Sequence, residues 1–350
     1  MERIGGVAMT MRQVRLIDIA ARAGVSVMTV SKALRGAPDV AAQTKARVRA
    51  LAQQMGYVPN TIAQGLRSRT SRLLGLILPT VANPIYSRTA AAIEEGAHEL
   101  GYDLLIAHSL GLMEREEVCI RRFLSRHVDG MFIFPVYRLA PQAAIYEELI
   151  RRATRVVILG HRAPFCGGFC NVETDDIGGS AAMTRHLVAL GHKRIAFLCG
   201  PPAAPWAQER LEGYRRALRE GGLEPDDSLI FKGGTGIEDG EGAALQILNE
   251  SAKMTAIQAS NDLLAMGAAN VFLKQGSGIP GDISVVGFGN LLSSEHFRVP
   301  LTTVRQPKLR LGVAAVDMMQ KVLRGERPET RRLPAEIIIR ASSGPPREGT

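Results

Sequence analysis

Leu16-Ile-Asp-Ile-Ala-Ala-Arg-Ala-Gly-Val-Ser-Val-Met-Thr-Val-Ser-Lys-Ala-Leu34 decides how this 350-residue chain is built. Leu16, Ile19, Ala20 and Ala23 recur at helical spacing. Gly24 follows them, where a left-handed backbone can close a helix. Ser26 is a good N-cap for a second helix, whose Val30, Ala33 and Leu34 face back onto the first. A third helix is expected from Gln43 to Met55, with Ala46, Val48, Leu51, Ala52 and Met55 inside and Lys45, Arg47 and Arg49 outside. Two short helices joined by a tight turn containing Gly form a helix-turn-helix, whose second helix enters the DNA major groove.

The charge distribution supports this reading. Residues 1–72 hold 12 Lys/Arg and 3 Asp/Glu, a surplus equal to the formal net charge of +9 for the whole chain. Everything after them balances, so a basic module that meets a polyanion is joined to an electrically neutral body. Hydrophobic residues make up 46% and charged residues 22% of the sequence, which excludes a mostly disordered chain. The length suggests two or three domains. No apolar run reaches the ~18 residues of a membrane span. Residues 1–22 lack an export signal, and the sparse Cys119, Cys166, Cys170 and Cys199 read as free thiols, so a cytoplasmic protein is expected.

From Leu73 onward, short apolar runs alternate with amphipathic stretches of helix length. The runs are 74–78, 102–107, 129–134, 155–159, 194–198, 229–231, 256–259 and 283–286. Helices are expected over 87–100, 114–126, 178–190, 209–220, 240–249 and 262–274. This alternation predicts parallel sheets covered on both faces. The pattern restarts after Gly160–Pro164, which favours two doubly wound lobes with a ligand between them, at the C-terminal ends of the strands.

Several segments, taken in order, resemble the lactose-repressor/galactose-repressor family of transcriptional regulators. They are the quoted segment, Met55-Gly-Tyr-Val-Pro-Asn60 with Ala63 and Leu66, Asn83-Pro84, Val128-Asp-Gly, Gly191-His-Lys-Arg-Ile-Ala, Glu209-Arg-Leu-Glu-Gly-Tyr, Ser260-Asn-Asp, Ser284-Val-Val-Gly-Phe and Leu301-Thr-Thr-Val-Arg-Gln-Pro307. The resemblance implies a helix-turn-helix head, a hinge helix, and an α/β core of two lobes like the periplasmic sugar-binding proteins. It implies a repressor that binds a pseudo-palindromic operator as a homodimer under control of a small effector. The expected layout is an extension over 1–13, the head over 14–58, the hinge over 59–72, the core over 73–342 and a tail over 343–350. Within the core, one lobe is expected at about 73–161 and 305–324, the other at about 163–303 and 328–342. No leucine heptad run follows Arg340, which favours a dimer over a tetramer.

The resemblance also assigns residues. Val27, Met28 and Lys32 fall where the family reads base edges, with Lys32 suited to guanine or to phosphate, and Thr29 and Ser31 where it grips phosphate. Tyr57, Asn60, Ala63 and Leu66 belong to the DNA-binding linker, with Leu66 as a wedge that kinks DNA from the minor groove. Arg15 and Ala41 stand where the family usually has a capping Ser or Thr. The effector positions are Asn83, Ile85, Tyr86, His108, Phe134, His161, Arg162, Trp206, Arg210, Asn261, Asp262, Gly289 and Gln306. Arg210 makes a forked contact to the ligand in the family; a surface ion pair with Glu209 or Glu212 is the alternative. His108, His161 and Arg162 are equally compatible with solvent-facing loops. Relatives that bind sugars commonly carry Asp where His161 and Gly289 stand, so a pocket rich in donors, suited to a sugar acid, is expected. No cofactor, metal or membrane is implied. Cys166 and Cys170 lack zinc spacing, and Gly234-Thr-Gly236 is no dinucleotide fingerprint. An exported receptor would need a signal peptide, and a hydride-transferring enzyme a glycine fingerprint.

Overall fold

A computed structural model describes residues 14–58, 70–250 and 253–347. The chain divides into two compact units, Met1–Ser71 and Arg72–Thr350. The first contains α1 (Leu16–Ala23), α2 (Val27–Leu34) and α3 (Ala42–Gln54), packed around Ile19, Ala23, Val30, Ala33, Val48 and Ala52. Gly24 has φ 65°, which ends α1, and the Val25 amide returns to the Ala20 carbonyl at 3.2 Å. The Ser26 hydroxyl accepts from the Thr29 amide at 3.1 Å and starts α2. At Arg15 the missing cap is partly replaced: Asp18 accepts from the Arg15 amide at 2.8 Å. Ala41 caps α3 with no side-chain bond. Ala46, expected inside, is exposed, because two residues before Val48 it is turned roughly 200° away from the buried Val48 and Ala52 face.

In the larger unit the strands are β1 (Leu73–Leu78), β2 (Asp103–His108), β3 (Gly130–Ile133), β4 (Val156–Leu159), β5 (Cys170–Thr174), β6 (Ile195–Cys199), β7 (Ile230–Lys232), β8 (Ala256–Ala259), β9 (Ser284–Gly289), β10 (Thr302–Arg305), β11 (Arg331–Leu333) and β12 (Glu336–Ile338). The helices are α4 (Pro84–Glu99), α5 (Met113–Ser125), α6 (Ala144–Arg151), α7 (Asp176–Ala189), α8 (Pro205–Glu220), α9 (Ile237–Asn249), α10 (Asp262–Lys274), α11 (Leu292–Glu295) and α12 (Lys308–Leu323). They form two six-stranded sheets, ordered β11-β5-β4-β3-β1-β2 and β12-β10-β9-β8-β6-β7. The first is parallel throughout; the second is parallel except where β12 runs antiparallel to β10. Buried Leu, Ile, Val and Phe cover both faces of each sheet, as crossover helices require. At Gly312, a Cβ would lie 2.7 Å from the Thr89 carbonyl oxygen, so this glycine allows α12 to seat against α4.

The lobe boundaries differ from those expected. Cys170–Thr174 and Arg331–Leu333 both belong to the first sheet, so the first crossover follows Thr174 and the last follows Leu333. These strands carry polar residues: Asn171 and Glu173 are buried polar side chains in β5, and Arg331 and Arg332 lie in β11. Such segments lack the apolar signature of a central strand. Thr302–Arg305, polar at three of its four positions, and Glu336–Ile338, a three-residue antiparallel edge strand, also fall outside the expected runs and join the second sheet.

Candidate functional site

In the head, α2 presents the side chains suited to reading DNA. Val27 and Met28 are 41% and 54% exposed, although both are apolar. The core stripe of α2 is filled by Val30 and Ala33, so packing does not account for Val27 and Met28. Lys32 is half-exposed and lies 2.5 Å from Asp39, which holds that carboxyl below its usual range. The Thr29 hydroxyl is hydrogen-bonded to Ser26 at 2.9 Å, so without DNA it supports the cap. Ser31 is half-buried, and its carbonyl accepts from Arg35 at 3.1 Å. Tyr57 is half-buried against the head core, after α3. Asn60, Ala63 and Leu66 lie outside the described residues.

In the larger unit, a cavity of about 180 Å³ opens at the C-terminal ends of the strands of both sheets. Of the expected effector residues, Asn83, Ile85, Tyr86, Phe134, His161, Trp206, Arg210, Asn261, Asp262 and Gln306 line it. Local structure positions them. Asn83 caps α4 by accepting from the Ile85 amide at 3.0 Å, and Asn261 caps α10 by accepting from the Leu264 amide at 2.9 Å. Tyr86 meets Phe134 edge to face at 5.0 Å. Gly200 leaves room for the Trp206 ring, which a Cβ would approach to 2.7 Å. Gly289, at φ 144°, does not line the cavity itself, although a Cβ there would face Asp262 and Ile85, which do.

Two more expected residues are elsewhere. His108 ends β2, where its carbonyl accepts from Arg115 at 2.9 Å, and Arg162 is exposed with its guanidinium 3.4 Å from the Gly167 carbonyl oxygen. Neither lines the cavity. β2 is an edge strand, which displaces His108 from the centre, and the chain turns outward after His161.

Arg210 lines the cavity, and its ion-pair partner is Asp176 in the interior rather than Glu209 or Glu212 at the surface. It is buried, and its Nε and Nη2 reach the same oxygen of Asp176 at 2.7 and 2.6 Å. Its Nη1 donates to the Ser260 carbonyl at 2.6 Å. The guanidinium stacks 3.7 Å from the Phe288 ring centroid and 4.6 Å from that of Trp206. Burial pushes the Asp176 carboxyl up, against the pull of Arg210 and His161. Asp176 thus supplies the acid thought to be missing at His161 and Gly289, and was itself overlooked. Asp262 is no free acceptor either: its oxygens take the Thr303 hydroxyl and the Leu291 amide.

His161 Nε2 lies 2.9 Å from Glu209 and 3.6 Å from the second oxygen of Asp176. Glu209 is also held by Arg332 at 2.9 Å. Burial opposes the imidazolium, but the Glu209 hydrogen bond and the charges of Asp176, Glu209 and Glu173 outweigh it and raise the His161 pKa. His161, Asp176 and Glu209 place three ligand atoms within 4.8 Å of one another, but arginines already hold both carboxylates, so the trio is an ion-pair network. Lys308, also missed, donates to the Asn290 carbonyl at 2.7 Å, and burial lowers its pKa to about 8. Gln306 Oε1 is buried without a partner among the described residues.

Comparison with known proteins places this architecture. Residues 15–60 match the model of bacterial regulatory proteins of the lacI family, and residues 184–343 that of a periplasmic binding protein-like domain. The regulator DegA of Bacillus subtilis is 30% identical over 332 residues, 94% of this chain and 98% of the relative. The chain belongs to the lacI family of bacterial regulatory proteins. The repressor CytR of Escherichia coli is 31% identical over 328 residues, covering 93% of this chain and 95% of CytR. A lac repressor dimer bound to operator and the anti-inducer ONPF superposes with a TM-score of 0.86 at 30% identity, over 95% of this chain and all of that one. The regulator CelR in complex with cellobiose gives 0.73 at 27% identity, over 94% and 100%. This lacI-family chain is therefore a DNA-binding transcriptional regulator with an effector-binding core. No helix among the described residues is long and apolar enough to cross a membrane.

Proposed function

We propose that this regulator represses transcription from a pseudo-palindromic operator, as a cytoplasmic homodimer without catalytic activity, and responds to a sugar acid in its cavity. The DNA reading is carried by exposed Val27 and Met28 beside Lys32 on a capped, basic second helix. These side chains suit a thymine methyl and a guanine edge or phosphate. Thr29, Ser31, Tyr57, Asn60 and Ala63 add backbone contacts, and Leu66 wedges the minor groove open. The dimer face is assigned to the edge strand β2, α5 and the turn between them, where Ile106, Leu110, Leu112, Met113 and Val118 are exposed.

The effector reading rests on the balance of hydrogen-bonding groups. Both cavity carboxylates are engaged, whereas Lys308 has protons to spare and His161 Nδ1 has no partner among the described residues. Lys308 is a donor and so is Nδ1 of protonated His161, while among the described residues Gln306 Oε1 and the Ser260 hydroxyl are buried without a partner, so a ligand rich in acceptors fits the cationic side of the cavity. Any preference for an anion comes from Lys308 and His161 rather than from Arg210. Selection from a random DNA pool tests the first part, and recovery of no inverted repeat at moderate salt would refute it. A panel of sugars and their aldonic and uronic acids, read by Trp206 fluorescence, tests the second. A response confined to neutral sugars would overturn the acid.

A further inference from the structure

We infer that Glu209 is a clasp between the two lobes, and that it is fully closed only while His161 carries a proton. The inference takes the cavity to be the effector site and adds a control on it. His161 follows β4 and Arg332 lies in β11, both in the first sheet, whereas Glu209 is on α8, which packs against β6 of the second. Arg332 holds one Glu209 oxygen at 2.9 Å and His161 holds the other at 2.9 Å. Glu209 is therefore gripped from the opposite lobe at both oxygens.

The charges around His161 are one proton short of balance. Glu173 and Asp176 flank it from β5 and the start of α7, and Glu209 from α8. Opposing them are Arg210 on Asp176 and Arg332 on Glu173 and Glu209. The Tyr137 hydroxyl donates to the His161 carbonyl at 2.9 Å, Arg162 points to the Gly167 carbonyl, and Lys308 and Asp262 form other parts of the cavity wall. Three carboxylates face two guanidiniums, and an imidazolium completes the set. A divalent ion would overshoot it, beside two arginines.

Protonation also changes what the cavity sees. Nε2 donates to Glu209 in either state, so losing the proton keeps this hydrogen bond but removes the charge that strengthens it, while Nδ1 changes from an N–H to a lone pair. Nδ1 is not among the buried side-chain atoms left unpaired, and His161 lines the cavity. One imidazolium thus closes the clasp on one side and presents a donor to an acceptor-rich ligand on the other. Proton, closure and an anionic ligand reinforce one another through this ring.

Trp206 is the only tryptophan and lines the cavity, so acrylamide quenching of the full-length protein, read by lifetime, reports opening without any effector. The quenching constant is expected to rise at least twofold between pH 6 and pH 8.5. Glu209→Gln and His161→Gln should show the higher value at both pH values, while Glu212→Gln, exposed on the same helix, keeps the step. Arg332→Gln removes a cation near His161 and should move the midpoint to higher pH, which serves if Glu209→Gln does not fold. A flat profile in the wild type, a step retained in Glu209→Gln, or an unmoved midpoint in Arg332→Gln overturns the clasp. So does stoichiometric zinc binding that is lost in His161→Gln. The effector reading stands or falls separately, on the ligand panel.

Discussion

Replacing Asp176 by Asn should do two opposite things to this regulator. Arg210 and Asp176 are only 5% and 2% exposed, so removing the carboxylate charge leaves a guanidinium in a site with little water. Breaking a buried pair from one side costs about 3–5 kcal/mol, because the remaining charge is uncompensated. Asn keeps an acceptor, and Arg210 keeps the Ser260 carbonyl and its two aromatic neighbours, so the lower end, ~3 kcal/mol, is expected. That is a fall of roughly 150-fold in the folding equilibrium, measurable as a lower urea midpoint at unchanged slope. The same change frees the Arg210 fork, so aldonic or uronic acids should bind the variant more tightly than the wild type, while neutral sugars gain nothing. The double variant Asp176→Asn/Arg210→Met should recover most of the lost stability and lose the gain for acids. A loss below 1 kcal/mol for the single variant, or no shift between acids and neutral sugars, would refute the assignment of Asp176 as the counter-charge of Arg210.

Leu66→Ala should weaken specific operator binding far more than non-specific binding, since only the specific complex bends DNA around the wedge; an unchanged ratio in competition assays removes the hinge assignment. Asp39→Asn releases Lys32, so DNA affinity should rise and its salt slope steepen by about one counterion, and Lys32→Ala should do the reverse. At Gly213 a Cβ would meet the Ile177 carbonyl oxygen at 2.4 Å and Ser180 Cβ at 2.9 Å, so Gly213→Ala should cost ~1–3 kcal/mol or more in chemical unfolding by prising α8 from α7. The Glu209 carboxyl is held below its ordinary value of 4.5, because the His161 and Arg332 contacts outweigh burial, so its contribution is present above pH 4.5 and fades as pH falls through its folded value. His161 is raised above 6.5, so its contribution is complete below pH 6.5 and fades as pH rises through its folded value. The difference in stability between wild type and Glu209→Gln should therefore be greatest between pH 4.5 and 6.5.

The helical head was legible because its signals are local. Gly24, Ser26 and the 16, 19, 20, 23 stripe act within one turn of themselves, and the structure puts the turn and the cap where those residues require. Apart from β5, the runs from Leu73 to Gly289 were legible because parallel strands under crossover helices are mostly apolar, and the edge strands β2 and β7 still carry short apolar stretches. β5, β10, β11 and β12 lie outside that rule. Asn171 donates to Glu173 at 2.7 Å and to the Gly160 carbonyl at 2.9 Å, and Thr330 donates to Asn171 at 2.7 Å, so β5 is built around a polar network that no hydrophobic period reveals. That network lies where the chain changes lobes, which is why the boundary was placed too early.

The site was legible by position but not by partner. Ten of the expected residues line the cavity, because α/β lobes gather the ends of their strands whatever the side chains are. What those residues do depends on pairings between distant parts of the chain. Arg210 meets Asp176 across 34 positions and Arg332 meets Glu209 across 123. No local pattern carries such pairs. Sequence adjacency offers Glu209 as a surface partner for its neighbour Arg210, whereas the helix turns the two side chains to different partners. His161 shows the consequence. Read alone, it replaces an acid with a base and makes the cavity cationic. With Asp176 and Glu209 beside it, its proton completes a balance of charges, and the positive character left for a ligand shifts to Nδ1 and to Lys308.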